Sequence, residues 1–389
     1  MAYLDHNATS PLRASARAAL EATLGECGNA SSVHGAGRAA RARVEEAREQ
    51  VAQLAGARPS SVVFTSGGTE ANAMALRGAI AGALAEEDRI TRLFVSAIEH
   101  ESVRANAAAL AETVPGLKLN TIAVTRDGVV DLASFRLALM QGKGRALVSV
   151  MAANNETGVV QDIEAIAQMV RTEGGEGALL HVDAVQAAGR VAFSFAGSGA
   201  DYATVSAHKL GGPQGAGALL VKDGTPFAPM MAGGGQEMGR RSGTENVAAI
   251  AGFGAAAQEA AAFADGMAQI GALRNRFEAE LKRIAPEAVV FGENAVRLPN
   301  TSNFAIPGLA AETALIALDL EGVAVSSGSA CSSGKVKPSH VLIAMGADEA
   351  LARSGLRISL GWTSREEDVD AAIAALRTLM ARRSGLRAA

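Results

Sequence analysis

A lysine behind a short apolar run is the first residue here whose type and place point to chemistry. Ser206-Ala207-His208-Lys209 follows residues 202–205, Tyr-Ala-Thr-Val, which read as a buried strand. Ligands of α/β sheets bind beyond the carboxyl ends of strands, and desolvation there draws a lysine toward its neutral, nucleophilic form. Only seven of the 36 basic residues are lysine, and arginine cannot give up its proton at working pH. The plainer reading is a surface lysine after an edge strand. A second apolar run ends in an acid, Leu180-His181-Val182-Asp183-Ala184-Val185-Gln186. A buried carboxylate needs a partner, and a protonated heterocyclic nitrogen would serve; a helix cap is the alternative. Third, Thr65-Ser66-Gly67-Gly68-Thr69-Glu70 lies between an expected strand and an expected helix. Its backbone N–H groups and hydroxyls suit an anion, although a simple capped helix start would look the same. It lacks the lysine of a nucleotide-binding loop and the spacing of a dinucleotide fingerprint. An aldehyde for Lys209, a pyridine nitrogen for Asp183 and a phosphate for the 65–70 loop describe one ligand, pyridoxal phosphate (PLP).

Positioning these groups requires a sheet. Strands are expected at residues 62–64, 93–96, 119–124, 146–151, 179–183, 201–206 and 218–221, and helices at 36–55, 70–85 and 103–111. Strands alternating with helices predict βαβ units and a mostly parallel sheet. One long Ala-rich helical stretch is expected over 247–281, after which Pro286, Pro299, Pro307 and Pro338 loosen the pattern. The shift predicts a second, smaller domain from about residue 262.

The 389 residues suggest two or three domains at about 150 residues each. With 49% hydrophobic residues, 20% charged residues and a formal charge of −4, the chain is globular and shows no footprint for nucleic acid or an anionic membrane. No apolar stretch reaches the ~18 residues of a spanning helix, and the opening Tyr3-Leu4-Asp5 does not resemble a signal peptide. Cys27 and Cys331 are too few for a disulfide framework and fit a reducing cytoplasm. The six histidines form no HExxH, and neither cysteine has a CxxC partner, so no metal site is expected.

The motifs YLDHNATSPL, TSGGTEAN, EHESV, ANNETGVVQDI, HVDAVQ, SAHKLGGPQGAGAL, RRSGTENVAAI, SSGSACSSGKVKPSHVL and LRISLG occur in order along the chain. With them the sequence resembles the cysteine desulfurases, in their NifS/IscS-like branch of class V of the fold-type I PLP-dependent transferases. The resemblance implies an α/β fold: a large domain over residues 15–261 around a mostly parallel, seven-stranded sheet, and a small α+β domain built from residues 1–14 and 262–389.

It also implies roles. Lys209 carries the cofactor as a Schiff base, Asp183 partners the pyridine nitrogen, Gln186 bonds the phenolic oxygen, and His100 stacks on the ring. Gly68, Thr69, Ser206 and His208 contact the phosphate, and Thr244 does so from the neighbouring subunit, which implies a homodimer. Asn155, also beside the cofactor, and Arg357 hold the substrate carboxylate. The substrate implied is L-cysteine and the product L-alanine. Sulfur passes to Cys331 as a persulfide and then to an acceptor protein, an iron–sulfur scaffold or a sulfur carrier. Lys209 and His100 both come into range as acid–base groups. A selenocysteine lyase or another class V PLP enzyme is the alternative.

Cys331 separates these relatives. Residues 326–334 are rich in Ser and Gly and read as a loop, with Lys335 and Lys337 nearby. Hydroxyl and basic neighbours suit a reactive thiolate. Cys27 matches no nucleophile of the family.

Overall fold

Short β-branched runs build the centre of the molecule. A computed structural model describes residues 1–263, 265–327 and 337–388; Cys331 lies outside them. The chain opens with β1 (Ala2–Tyr3), α1 (Ala14–Leu24) and α2 (Gly35–Leu54). It then alternates through β2 (Val62–Thr65), α3 (Gly68–Ala85), β3 (Ile90–Ser96), α4 (Glu101–Thr113), β4 (Lys118–Ile122), α5 (Leu132–Met140), β5 (Arg145–Met151), α6 (Ile163–Glu173) and β6 (Leu179–Asp183). β7 (Tyr202–Ser206), β8 (Gly217–Val221), α7 (Val247–Ala262) and α8 (Gly266–Ile284) follow.

A seven-stranded sheet runs in the order β2-β8-β7-β6-β5-β3-β4. It is parallel throughout except for β8, which lies antiparallel to both of its neighbours. Side chains of a strand alternate between faces, and the core is partitioned accordingly. Ala146, Val148 and Val150 of β5 join the core that also holds Val44 and Val51 of α2, Phe135 of α5, Ile166 of α6 and Phe253 of α7. Leu147, between them, joins the core formed with Met74 and Leu76 of α3 and Val103 of α4. Helices cover both faces, which is why the inner strands read as continuous apolar runs rather than alternating ones. The carboxyl ends of β2, β3, β5, β6 and β7 meet along one edge.

The remaining elements are β9 (Val289–Val290), β10 (Thr301–Ala305), α9 (Ala311–Leu320), β11 (Val323–Ala324), β12 (Ser326–Ser327), α10 (His340–Ala344), α11 (Glu349–Ala352), β13 (Gly355–Ser359) and α12 (Glu366–Ala388). They form an antiparallel sheet β12-β13-β10-β9. Phe304, Leu356 and Ile358 of this sheet pack with Phe277 of α8, Leu318 of α9 and Leu376 of α12. The start of the chain belongs here as well: β1 pairs in parallel with β11, and Ala2 and Leu4 lie in the same core.

Where the sequence predicts one helix over 247–281, the structure has two, α7 and α8, meeting at 75°. At the break, a Cβ on Gly266 would stand 2.5 Å from the Phe263 ring, so the turn closes with glycine against that ring. Helical periodicity continues on either side and conceals the bend. The small sheet left no such trace. Thr301, Ser302 and Asn303 of β10 are buried, and a buried polar strand carries no hydropathic signature. No single helix among the described residues is long and apolar enough to cross a membrane.

Gly217 lies where β8 faces Thr65, the last residue of β2. A Cβ there would stand 2.7 Å from the backbone of Gly67. Gly217→Ala should therefore push the 65–70 loop aside and lower the unfolding free energy by about 1–3 kcal/mol, the usual cost of overpacking. Urea denaturation with an unchanged midpoint would contradict this packing.

Candidate active site

Along the carboxyl edge of the large sheet opens a cavity of about 760 Å³. Gly68, Thr69, His100, Asn155, Asp183, Gln186, Ser206, His208, Lys209 and Arg357 all line it. Of the remaining sequence-selected residues, Thr244 is exposed in the segment before α7 and does not line the cavity. Cys331 falls outside the described residues.

Lys209 ends a short 3₁₀ turn directly after β7. Its Nζ donates to the carbonyls of Asn7 and Ala8, each at 2.7 Å. Behind it lies the buried Arg190, whose guanidinium donates to the carbonyls of His6 and Lys209 at 3.3 Å and to the Gln186 side chain. Arg190 forms no ion pair among the described residues. Burial, reinforced by Arg190 and Arg357, pulls the Lys209 amine down to about 7, with Asp5 and Asp183 opposing. Burial likewise lowers His208 to about 4, helped by Lys209 and Arg190. His208 Nδ1 lies 3.2 Å from Thr9 Oγ1.

Asp183 is the last residue of β6. Its Oδ1 accepts from the Val185 N–H at 3.0 Å and its Oδ2 from Asn72 Nδ2 at 2.8 Å. Asn72 Nδ2 also reaches Ser102 Oγ at 2.9 Å, and Ser102 Oγ lies 2.8 Å from His100 Nδ1. His100 caps α4, its Nδ1 accepting the Ser102 N–H at 3.2 Å.

Gly67, with φ 153°, turns the chain from β2 into α3. A Cβ on Gly68 would come within 3.1 Å of Val185 Cγ2, so the first turn of α3 lies close over the β6 exit. Its unsatisfied N–H groups and positive dipole end suit an anion. Beside it the buried Ser206 Oγ has no partner among the described residues. Glu70 is engaged elsewhere, accepting from Ser66 N at 2.6 Å and Arg241 Nε at 2.9 Å. Despite partial burial, these partners hold its carboxyl below the usual range.

At the opposite wall, Arg357 of β13 donates to Asp5 Oδ1 at 2.6 Å and to the Asn155 carbonyl at 3.0 Å, while its Nε is unpartnered among the described residues. Two further acids are buried, Glu156 within reach of the Arg357 charge and Glu99 within reach of Asp183. Burial raises Glu156 to about 7; Ser339 Oγ donates to it at 2.5 Å and Arg357 opposes the shift. Glu99 is pushed well above the usual range by burial and then by the charge of Asp183. Sequence reasoning passed over Asn7, Asn72, Ser102, Arg190, Glu99 and Glu156. Five of the six lie inside or beside quoted motifs, yet nothing in their spacing says what they touch. Among the described residues no group of acids, histidines or cysteines could hold a metal ion.

Residues 2–372 match the class-V aminotransferase family. An IscS-like cysteine desulfurase of Mycobacterium tuberculosis is 42% identical over 393 residues, spanning 100% of this chain and 99% of that protein. The solved structure of a NifS-like protein from Rickettsia africae superposes with a TM-score of 0.87 at 36% identity, covering 97% of this chain and 99% of that one. SspA, solved in complex with cysteine, superposes with a TM-score of 0.78 at 28% identity over 92% of this chain and 99% of that one. The chain belongs to the class-V aminotransferase family, in its cysteine desulfurase branch. That family is one of PLP-dependent enzymes.

With Lys209 at about 7, the folded chain releases a proton that an unfolded lysine keeps to about 10.4. Between these values the unfolded chain binds more protons, so stability rises with pH. Competitive amine labelling of the cofactor-free protein should give Lys209 a midpoint near pH 7, and Lys209→Met should lack this rising contribution to stability. A labelling midpoint near 10 would refute the electrostatic account.

Proposed function

We propose that this chain is a PLP-dependent cysteine desulfurase that takes sulfur from L-cysteine onto Cys331, releases L-alanine and passes the sulfur to an acceptor protein. One observation carries the reading: a desolvated amine, a buried carboxylate and a buried, unpartnered hydroxyl at a helix N-terminus face one cavity. PLP, when bound, supplies an aldehyde for amino groups and a ring that withdraws electrons from the substrate α-carbon. Lys209 would hold the aldehyde carbon, and Asp183 the ring nitrogen. Ser206, His208, Gly68 and Thr69 would hold the phosphate, with Thr244 supplied by the neighbouring subunit of a homodimer. The orphaned Ser206 Oγ and the close backbone of Gly68 fit that phosphate.

The chain's own side chains then divide the remaining work. Gln186 is turned by Arg190 so that its Nε2, already on the Asn7 carbonyl at 3.1 Å, has one proton left for the phenolic oxygen. Arg357 keeps its fork near Asn155, where a substrate carboxylate would compete with Asp5 for the guanidinium. Lys209, whose amine is drawn down to about 7, has a neutral fraction near pH 7 that is able to take a proton from the substrate. Cys331 would attack the sulfur of bound cysteine as a thiolate, an S–S bond forming as the substrate Cβ–S bond breaks and its electron pair stays with the carbon skeleton that leaves as alanine, an assignment that rests on the family resemblance. The iron–sulfur scaffold or sulfur carrier that accepts the persulfide follows from the same resemblance.

Brief exposure to cysteine without reductant should add the mass of one sulfur, about 32 Da, to the Cys331 peptide as an oxidised thiol derivative. Cys331→Ser should retain PLP yet release neither alanine nor sulfide, and Cys27→Ser should change little. Label on Cys27, or normal turnover by Cys331→Ser, would overturn the assignment.

Mixing a Thr244→Ala protein with a Lys209→Ala protein should restore part of the activity if subunits share sites. Each mutant alone should be strongly impaired. A fully active monomer by light scattering would exclude the shared site.

A further inference from the structure

The hydrogen-bond chain from Asp183 to His100 is used by no step above. We propose that Asn72 and Ser102 are positioning residues that hold the His100 imidazole with its proton on Nε2, so that His100 meets the cavity as a hydrogen-bond donor. The inference deepens the desulfurase reading and rests on it only for the chemical consequence.

Donor and acceptor bookkeeping leads there. Asp183 accepts at Oδ1 from the Val185 N–H, and its Oδ2 faces the amide nitrogen of Asn72, 2.8 Å away. The reverse orientation would set two oxygens against each other. The same Nδ2 lies 2.9 Å from Ser102 Oγ, which receives the second amide proton. Ser102 then has its own hydroxyl proton to give, and His100 Nδ1 stands 2.8 Å away. The Ser102 backbone N–H, in the first turn of α4, points at the same nitrogen from 3.2 Å. A nitrogen that meets two donors is the unprotonated one, because a proton on Nδ1 would oppose the backbone N–H. The proton of the neutral ring is thereby assigned to Nε2, the nitrogen left for the cavity.

The consequence divides the acid–base work. A neutral imidazole with its N–H toward the substrate gives a hydrogen bond there and takes no proton at that nitrogen. The proton lost by the substrate α-carbon is left to Lys209, whose amine carries a lone pair near neutral pH.

The test uses the full-length protein with 15N-labelled histidine, cofactor-free and PLP-loaded, with His100 assigned through His100→Gln. At a pH where the ring is neutral, the wild type should show a protonated-type shift at Nε2 and an unprotonated-type shift at Nδ1. Ser102→Ala removes one of the two donors and should lower the ratio of Nε2–H to Nδ1–H forms roughly fivefold, the effect of one ordinary hydrogen bond. Ser102→Thr should restore the ratio. Asn72→Ala frees the Ser102 hydroxyl to rotate and should give a smaller drop in the same direction. A wild-type proton on Nδ1, or an unchanged ratio in either alanine variant, would overturn the proposal. The readout is a ring-nitrogen shift, so it decides the matter even if turnover shows that the substrate is not cysteine.

Discussion

The carbonyl of Asn7 is the contact on which the rest of the site depends. It accepts Lys209 Nζ at 2.7 Å and Gln186 Nε2 at 3.1 Å. The Asn7 side chain meanwhile donates to Thr301 Oγ1 and to the Asn155 carbonyl and accepts from Asn300. Its backbone N–H rests on Ser359 Oγ. One residue near the start of the chain thus joins the carboxyl edge of the large sheet to β10 and β13 of the small one. Asn7, Gln186, Asn300, Thr301 and Ser359 are buried, so breaking one of the contacts among them leaves a donor or acceptor unpaired at a cost of about 1–3 kcal/mol. Lys209 and Arg357 consequently face each other across a seam whose width is set by hydrogen bonds rather than by apolar packing alone.

Within that seam, cations outnumber the acids that answer them. Lys209, Arg190 and Arg357 are gathered against Asp5 and Asp183, and Arg190 is surrounded by carbonyl and amide oxygens. Carbonyl dipoles solvate a guanidinium without neutralising it, so its field is felt by the lysine, the one cation of the three with a readily lost proton. Even Arg190 is drawn down to about 9, by burial and then by Arg357. Burial favours the protonated forms of Glu99 and Glu156, which reduces the negative charge they bring. The cavity is left biased toward anions: a phosphate at the α3 end and a carboxylate at the Arg357 end.

The two ends of the cavity are built differently. At the α3 end, backbone does the positioning: Gly67 takes a φ of 153° that side-chain-bearing residues rarely adopt, and Gly217 lets β8 approach the loop more closely than a side chain would allow. Around Asp183 and His100, side chains do it, each passing a proton's orientation to the next. Backbone cradles are read from glycine in the sequence, whereas the side-chain relay joins residues 30 and 111 positions apart.

By itself the sequence determined the strands of the large sheet and the groups at their ends. Burial of both faces between helix layers forces continuous apolar runs, and the residue that ends each run must leave the sheet on the ligand-binding edge; Asp183, Ser206 and the 65–70 loop were legible for that reason. It also carried ordered motifs dense enough to place the chain in its family. The bend between α7 and α8 was not legible, because two Ala-rich helices in succession have the same periodicity as one. Nor was β10, whose Thr-Ser-Asn face is buried by virtue of its partners. Tertiary structure alone decided those partners: Asn7 beneath Lys209, Arg190 behind it, and Asn72 between Asp183 and Ser102. A polar contact between distant segments has direction and distance but no period, so it exists only once the chain has closed on itself.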